Sequence, residues 1–189
     1  MKIAYLILAL SLTLTTASTF AELSDRENPV EKYHLQWVID SSQSIDVVKA
    51  SISIQAPAQT VWSVIKDPNH YSDWTDAVTA KTHEVRPGEH IEFWIDLNAC
   101  FGRTHSRETI TVVDDTSYAL AWEKSMGFGI HTQRWQLLIP SADGQSVTYY
   151  TGLKIPKPYG STLAFFGTMK KLALFLDGFA KALKERCEY

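Results

Sequence analysis

Three side chains in the middle of the sequence are of types that can move a proton: Glu108, His131 and Tyr149. Each lies in a stretch where apolar and polar residues alternate, so a β-strand would direct it to one face of a sheet. A carboxyl, an imidazole or a phenol can act as general acid or base when burial or a nearby charge shifts its pKa. The alternative for Glu108 is an edge-strand charge in solvent, and the alternative for His131 is a hydrogen bond to a backbone carbonyl. Residue type alone therefore assigns no catalytic residue.

Other chemistries have no typical pattern in this sequence, which lacks a nucleophile elbow, a phosphate-binding loop and a metal triad. His83-Glu84 lacks the second histidine of a metalloprotease helix, and Gly127-Phe128-Gly129 opens a strand rather than a helix. We therefore expect neither a metal nor a cofactor. The net charge of −3 comes without a basic stripe, which argues against nucleic acid as a partner.

The first 21 residues are typical of a secretory signal peptide. Lys2 precedes an apolar run over residues 3–14, and small and hydroxyl residues follow as far as Ala21. The run is shorter than the roughly 20 residues that a membrane span needs, although an uncleaved anchor is the alternative. We expect cleavage after Ala21 and a periplasmic or secreted protein.

The remaining chain divides into a polar N-terminal extension, residues 22–46, and one domain over residues 47–189. A composition of 45% apolar and 21% charged residues suits a single globular core of this length. Outside the cytoplasm, Cys100 and Cys187 can form a disulfide or remain two free thiols.

Alternating apolar residues and turn-forming breakers predict a meander of β-strands. Pro57 ends the first strand and suits the first turn of a helix, and Asp67-Pro68 ends that helix, so two short helical segments fall within residues 58–74. The predicted strands cover residues 47–54, 77–86, 90–98, 103–113, 118–124, 129–140 and 146–155.

The end of the chain changes to a helical period, from about Ser161 to Cys187. A helix of that length is about 40 Å long, since each residue adds about 1.5 Å. Its predicted apolar stripe consists of Phe165, Met169, Leu172, Leu176, Phe179 and Leu183. One helix about 10 Å wide cannot cover about seven strands spaced about 4.8 Å apart, so the sheet must curl around it. Curling leaves an interior space, and the short helices can plug one end of it with Trp62 or Trp74.

The order and spacing of several short motifs resemble one known superfamily. At the start these are Ile54-x-Ala56-Pro57-x-x-x-Val61-Trp62, followed by Asp67-Pro68, Tyr71 and Trp74. Further along they are Leu120-Ala121-Trp122, Arg134-Trp135-x-Leu137, Asp143-Gly144 before Val147-Thr148, and Ala182-Leu183-Lys184-x-Arg186. Together they resemble the START/Bet v 1-like (SRPBCC) superfamily over residues 47–187, closest to its polyketide cyclase/dehydrase and lipid-transport branch.

The resemblance implies an α+β helix-grip fold. In it, a curved antiparallel sheet of about seven strands surrounds a long C-terminal helix, with two short helices near the start. It also implies an apolar cavity between the sheet and that helix, and strand alternation suggests which side chains line it. The predicted ligand-binding residues are Trp74, Phe93, Ile95, Leu120, Trp122, His131, Gln133, Trp135, Tyr149, Met169, Leu172 and Leu176. The alternative for each tryptophan is ordinary core packing.

Three functions fit this reading. The first is an exported protein that binds or carries an apolar small molecule such as a lipid, fatty acid or aromatic metabolite. The second is an enzyme of the cyclase or dehydrase kind that uses the same cavity. The third is an envelope accessory protein that acts through a protein partner, since Leu163, Phe166 and Leu174 fall on the charged side of the last helix and could contact a protein or a membrane.

Overall fold

The computed structural model of the chain describes residues 45–96, 103–127, 130–157 and 168–189. The expected signal peptide, most of the expected N-terminal extension, Cys100, Leu163 and Phe166 lie outside these residues. The elements in chain order are β1 (Ile45–Ile54), α1 (Ala58–Ile65), a 3-10 helix (Pro68–Asp73), β2 (Val78–Thr82), β3 (His90–Asp96), β4 (Arg103–Asp114), β5 (Ala119–Gly127), β6 (Ile130–Pro140), β7 (Val147–Pro156) and α2 (Thr168–Glu188).

The strands form one seven-stranded antiparallel sheet in the order β1-β7-β6-β5-β4-β3-β2. Strands β2 to β7 follow one another as a meander, and β1 pairs with the last strand. The sheet curls around the C-terminal helix, and the two short helical segments follow directly after β1. This architecture confirms the helix-grip fold that the sequence predicted.

Alternation on the strands creates the core. On β3, Ile91, Phe93 and Ile95 are buried, and the residues between them are more exposed. The residues on the inner face of the sheet pack against the apolar side of α2. Because a strand sends successive side chains to opposite faces, a period of two leaves one face of the sheet for the helix.

Helix α2 buries one side and exposes the other. Its buried residues are Phe175, Leu176, Phe179, Ala180 and Leu183. At its end the Lys184 ammonium donates to the Ser53 carbonyl (2.9 Å), and the Gln55 amide donates to Glu188 Oε1 (2.6 Å). These bonds fix the end of α2 to the end of β1. None of the helices in the described ranges has the length and apolar character to cross a bilayer.

The short α1 helix closes one end of the sheet. Trp62 is 2% exposed, and its indole N–H donates to Asp115 Oδ1 at 2.7 Å. The Lys66 ammonium donates to the same oxygen at 2.7 Å, and the Trp62 ring packs edge-on against Tyr118 at 5.8 Å. Asp115 lies in the turn between β4 and β5, so these contacts hold α1 against that turn.

The described cysteine, Cys187, is a free thiol near the end of α2. Burial raises the pKa of this thiol to about 11, so it is protonated at neutral pH and a weak nucleophile. Because Cys100 lies outside the described residues, a disulfide between Cys100 and Cys187 stays a prediction.

Candidate functional site

A small cavity lies between the inner face of the sheet and α2. Its volume is about 20 Å³, which is room for about one water molecule. Among the described residues, this cavity is therefore small, and the rings of five aromatic residues form half of its wall. The lining residues are Tyr71, Val78, Phe93, Trp122, Arg134, Gln136, Thr151, Phe175, Leu176 and Phe179.

Aromatic contacts close the cavity on the helix side. The Phe179 ring lies 5.0 Å from the Trp74 ring and 5.3 Å from the Tyr71 ring, measured between ring centroids. Tyr71 and Trp74 also pack edge-on at 5.3 Å, and Phe175 lies 6.4 Å from Phe179. Edge-to-face packing at these distances is favourable beyond the area it buries, so the four rings form a cohesive plug.

A chain of buried hydrogen bonds crosses the site. The Tyr149 hydroxyl donates to Gln136 Oε1 at 2.9 Å, and Gln136 Nε2 donates to the Tyr71 hydroxyl oxygen at 3.4 Å. The Tyr71 hydroxyl in turn donates to the Ile65 carbonyl at 2.7 Å. Burial raises the pKa of both phenols far above their ordinary value, so both stay protonated at neutral pH and serve as donors rather than bases.

Arg134 brings a positive charge into this aromatic lining. Its guanidinium carbon lies 5.3 Å from the Phe93 ring centre, 5.8 Å from that of Trp122 and 5.3 Å from that of Phe175. Phe93 and Trp122 are themselves stacked at 5.4 Å. The rings come from β3, β5 and α2, and antiparallel pairing places Arg134 directly opposite Trp122. A cation over the faces of aromatic rings is electrostatically favourable.

Several predicted ligand-binding residues lie on the inner face. Phe93, Trp122 and Leu176 line the cavity. Around it, the core includes the predicted residues Trp74, Ile95, Leu120, Tyr149 and Leu172. Met169 belongs to α2, but its side chain lies outside the described residues. Contact of these residues with a ligand stays a prediction.

The predicted orientation of β6 is wrong. Arg134 and Gln136 line the cavity, so His131, Gln133 and Trp135 point to the opposite face of the sheet. Trp135 lies there across from Gly152, where an added Cβ would come 2.5 Å from the indole ring. Leu137 and Leu138 are both fully buried apolar residues, so their pattern does not distinguish the two faces of β6.

The acid–base candidates do not converge. His131 is on the outer face, whereas Tyr149 and Glu108 are on the inner one. Glu108 is 6% exposed and accepts a hydrogen bond from the Ser106 hydroxyl at 2.7 Å. On the outer face His131 Nδ1 lies 3.9 Å from Glu123 Oε2, which is too long for a hydrogen bond. The described residues therefore present no acid–base pair at the cavity.

The sequence-based prediction missed the three polar residues Arg134, Gln136 and Thr151 of the cavity and three of its five aromatic residues. Phe179 was placed on the apolar stripe of the last helix but not assigned to the site. For Phe175 a signal existed, because it lies on the same helical stripe as Leu172, Leu176 and Phe179. The lining residues absent from the prediction are Tyr71, Val78, Arg134, Gln136, Thr151, Phe175 and Phe179.

No group of three or more histidine, cysteine or acidic side chains is placed to hold a metal ion within the described ranges.

Leu174 is 57% exposed on α2, as its position on the helical wheel predicted. Its use as a protein or membrane contact stays a prediction.

The fold and sequence can be compared with known proteins. The family profile described as polyketide cyclase / dehydrase and lipid transport matches residues 46–188. No curated protein matches this sequence. Among solved structures, the Zhui aromatase/cyclase from Streptomyces sp. R1128 is similar at a TM-score of 0.59 and 14% identity, covering 77% of this chain and 94% of that one.

Two other solved structures share the fold. A point mutant of norcoclaurine synthase from Thalictrum flavum, in complex with a transition-state analogue, gives a TM-score of 0.57 at 16% identity, covering 78% of this chain and 99% of its own. A START superfamily protein from Mycobacterium smegmatis gives 0.53 at 16% identity, with 75% and 97% coverage. At these identities the similarity concerns the fold alone.

Proposed function

Because this chain belongs to the polyketide cyclase / dehydrase and lipid transport family, we propose that it binds an apolar small molecule between the inner face of its sheet and α2. A lipid, a fatty acid or an aromatic metabolite has the required chemistry. The supporting observation is the composition of the cavity wall. It consists of five aromatic residues, two aliphatic residues and three polar residues that are not aromatic. Mostly apolar walls with a few polar groups are typical of small-molecule sites.

Binding on this proposal requires the site to open. A cavity of about 20 Å³ admits no lipid or aromatic acid, so side chains of α2 must move aside. Phe175, Leu176 and Phe179 are the helix residues at the cavity, and their displacement would expose the stacked rings on the sheet. Each 100 Å² or so of apolar surface removed from water contributes about 2.5 kcal/mol to binding, and this gain acts against the cost of separating the rings.

A matched pair of leucines on α2 tests the position of the site. Leu176 lines the cavity, whereas Leu174, two residues away, is 57% exposed. We expect Leu176→Phe to weaken binding of a fluorescent fatty acid by about tenfold, because the added volume fills the cavity and overpacks it. Leu174→Phe should leave binding unchanged. Fluorescence titration of both variants and the wild type measures this, with thermal melts to verify that each variant folds.

Two results would count against the proposal. Wild-type protein that binds no apolar probe, and releases none on organic extraction followed by mass spectrometry, would contradict binding itself. Loss of binding in Leu174→Phe with normal binding in Leu176→Phe would place the ligand on the outer surface of α2 instead.

Export of the protein is a separate proposal. It rests on the pattern of residues 1–21, and N-terminal sequencing of protein recovered from the native host tests it. The expected first residue is Glu22; a chain that begins at Met1 would contradict cleavage.

A further inference from the structure

We propose that the ligand of this site carries a carboxylate, which binds to the N–H edge of the Arg134 guanidinium group. The apolar body of the ligand would then lie against the aromatic side chains of the cavity. This inference rests on the proposed function and narrows it from any apolar molecule to an apolar acid, such as a fatty acid or an aromatic carboxylic acid.

The surroundings of Arg134 satisfy its charge only in part. Rings of Phe93, Trp122 and Phe175 lie within 5.3 to 5.8 Å of the guanidinium carbon. Ring faces attract the cation, but the five N–H donors of a guanidinium point outward in its plane and need oxygen acceptors. Within the described residues, no carboxylate pairs with Arg134 and no side chain accepts a hydrogen bond from it.

A second donor in the cavity wall lacks an acceptor. Trp122 lines the cavity and is 3% exposed, and its buried indole N–H has no hydrogen-bond partner among the residues that the structure describes. A buried donor without an acceptor costs about 1–3 kcal/mol, so such groups usually have a partner in the functional state. Arg134 and Trp122 are directly opposite each other on β6 and β5.

The other polar groups of the cavity are already paired. Gln136 accepts from Tyr149 and donates to Tyr71. The Thr151 hydroxyl donates to the Trp135 carbonyl at 3.0 Å. The groups without partners are thus both donors, and one of them carries a positive charge. A carboxylate supplies two acceptor oxygens and a negative charge, and it matches the planar fork of a guanidinium in a bidentate arrangement.

A matched pair of ligands separates this inference from the proposed function. Decanoic acid and decanol share a chain and differ in the head group, and titration calorimetry at neutral pH measures both. We expect wild-type protein to bind the acid about tenfold or more tightly than the alcohol, because charge-assisted hydrogen bonds are stronger than neutral ones. The competing occupant of the two donors is a water molecule, and in that case the two ligands should bind alike.

Variants of Arg134 identify the group responsible. Arg134→Met keeps an unbranched chain over the rings and removes the charge, so the affinity for the acid should fall about tenfold and that for the alcohol should stay within about twofold. Arg134→Lys keeps the charge without the fork and should give an intermediate affinity for the acid. Arg107→Met serves as the control, since Arg107 is exposed on the outer face of β4 and its removal changes the net charge equally.

The outcomes are distinguishable. Equal wild-type affinities for acid and alcohol, or an equal loss of acid binding in Arg107→Met, would overturn the carboxylate inference and leave the apolar site standing. Failure of the wild type to bind either ligand would overturn both. The wild-type comparison needs no variant, so the inference can fail even if Arg134→Met does not fold.

Discussion

The imidazole of His70 is paired with the carboxylate of Asp67 at the protein surface. Its Nδ1 lies 2.7 Å from Asp67 Oδ2, at the start of the 3-10 helix. The hydrogen bond to Asp67, followed by the charge of Asp67, raises the pKa of His70 above its ordinary value of 6.5. Any stability from this pair is therefore fully present below pH 6.5 or so and is lost as the pH rises through the folded-state pKa. Because the His70 side chain is 64% exposed, solvent screening keeps the contribution small.

We expect Asp67→Asn to lower the pKa of His70 back toward 6.5, because both the charge and the strongest acceptor are removed. An NMR titration of the His70 ring protons measures the change. Asp73→Asn is the control, since Asp73 acts on His70 only through its charge and contributes least. A wild-type His70 that already titrates at 6.5 or below would contradict the pairing with Asp67.

At the scale of secondary structure, α2 contains one residue of low helix propensity, Gly178, next to the cavity residue Phe179. Gly178 precedes Phe179 in the helix interior, and a Cβ at Gly178 would meet no atom within 4 Å. Glycine in a helix costs about 0.5–1 kcal/mol relative to alanine, because it loses more conformational freedom on folding. Gly178→Ala should therefore raise the free energy of unfolding by about that amount, as measured by urea denaturation.

A second glycine provides the opposite control. At Gly152 on β7 an added Cβ would lie 2.5 Å from the Trp135 ring, so Gly152→Ala should lower the free energy of unfolding by about 1–3 kcal/mol. The same denaturation experiment compares the two variants. If Gly178→Ala lowers the free energy of unfolding as Gly152→Ala does, the conformational freedom of Gly178 does not reduce the stability of α2.

The elements themselves could be predicted from sequence because their signals are local. Strand β4 was expected at residues 103–113 and spans Arg103–Asp114, and α1 begins after Pro57 as expected. The face of β6 could not be predicted, because Leu137 and Leu138 are both apolar and either could point inward. Pairing with β7, where Leu138 lies opposite Tyr149, decides the matter, and that register is a long-range property.

At the scale of the whole molecule, the interior between the sheet and α2 is packed with apolar side chains, and the binding site proposed above lies within it. The sequence predicted an aromatic and aliphatic interior between the sheet and the last helix, and the structure has one. Its free volume could not be predicted, because about 20 Å³ remains only after each ring takes its final rotamer. The position of Arg134 at the cavity could not be predicted for a related reason. From sequence alone, a charged residue in an apolar strand is expected to face solvent, and only the strand register shows that it faces inward.

Phe179 lines the cavity of the proposed binding site and packs against three other rings. Its ring contacts those of Trp74, Tyr71 and Phe175 at 5.0, 5.3 and 6.4 Å. Phe179→Ala should lower the free energy of unfolding by about 3–5 kcal/mol, since it removes those contacts and leaves a cavity. An apolar cavity of that kind stays dry and accepts benzene-sized guests.

Benzene should therefore stabilise Phe179→Ala against heat more than it stabilises the wild type, because a ligand that binds only the folded state shifts the unfolding equilibrium. Thermal melts of both proteins, with and without benzene, measure the difference. Leu174→Ala is the control: its side chain is exposed, so neither its stability nor its response to benzene should change appreciably. If Phe179→Ala loses stability but gains no response to benzene, the surrounding rings have collapsed into the space.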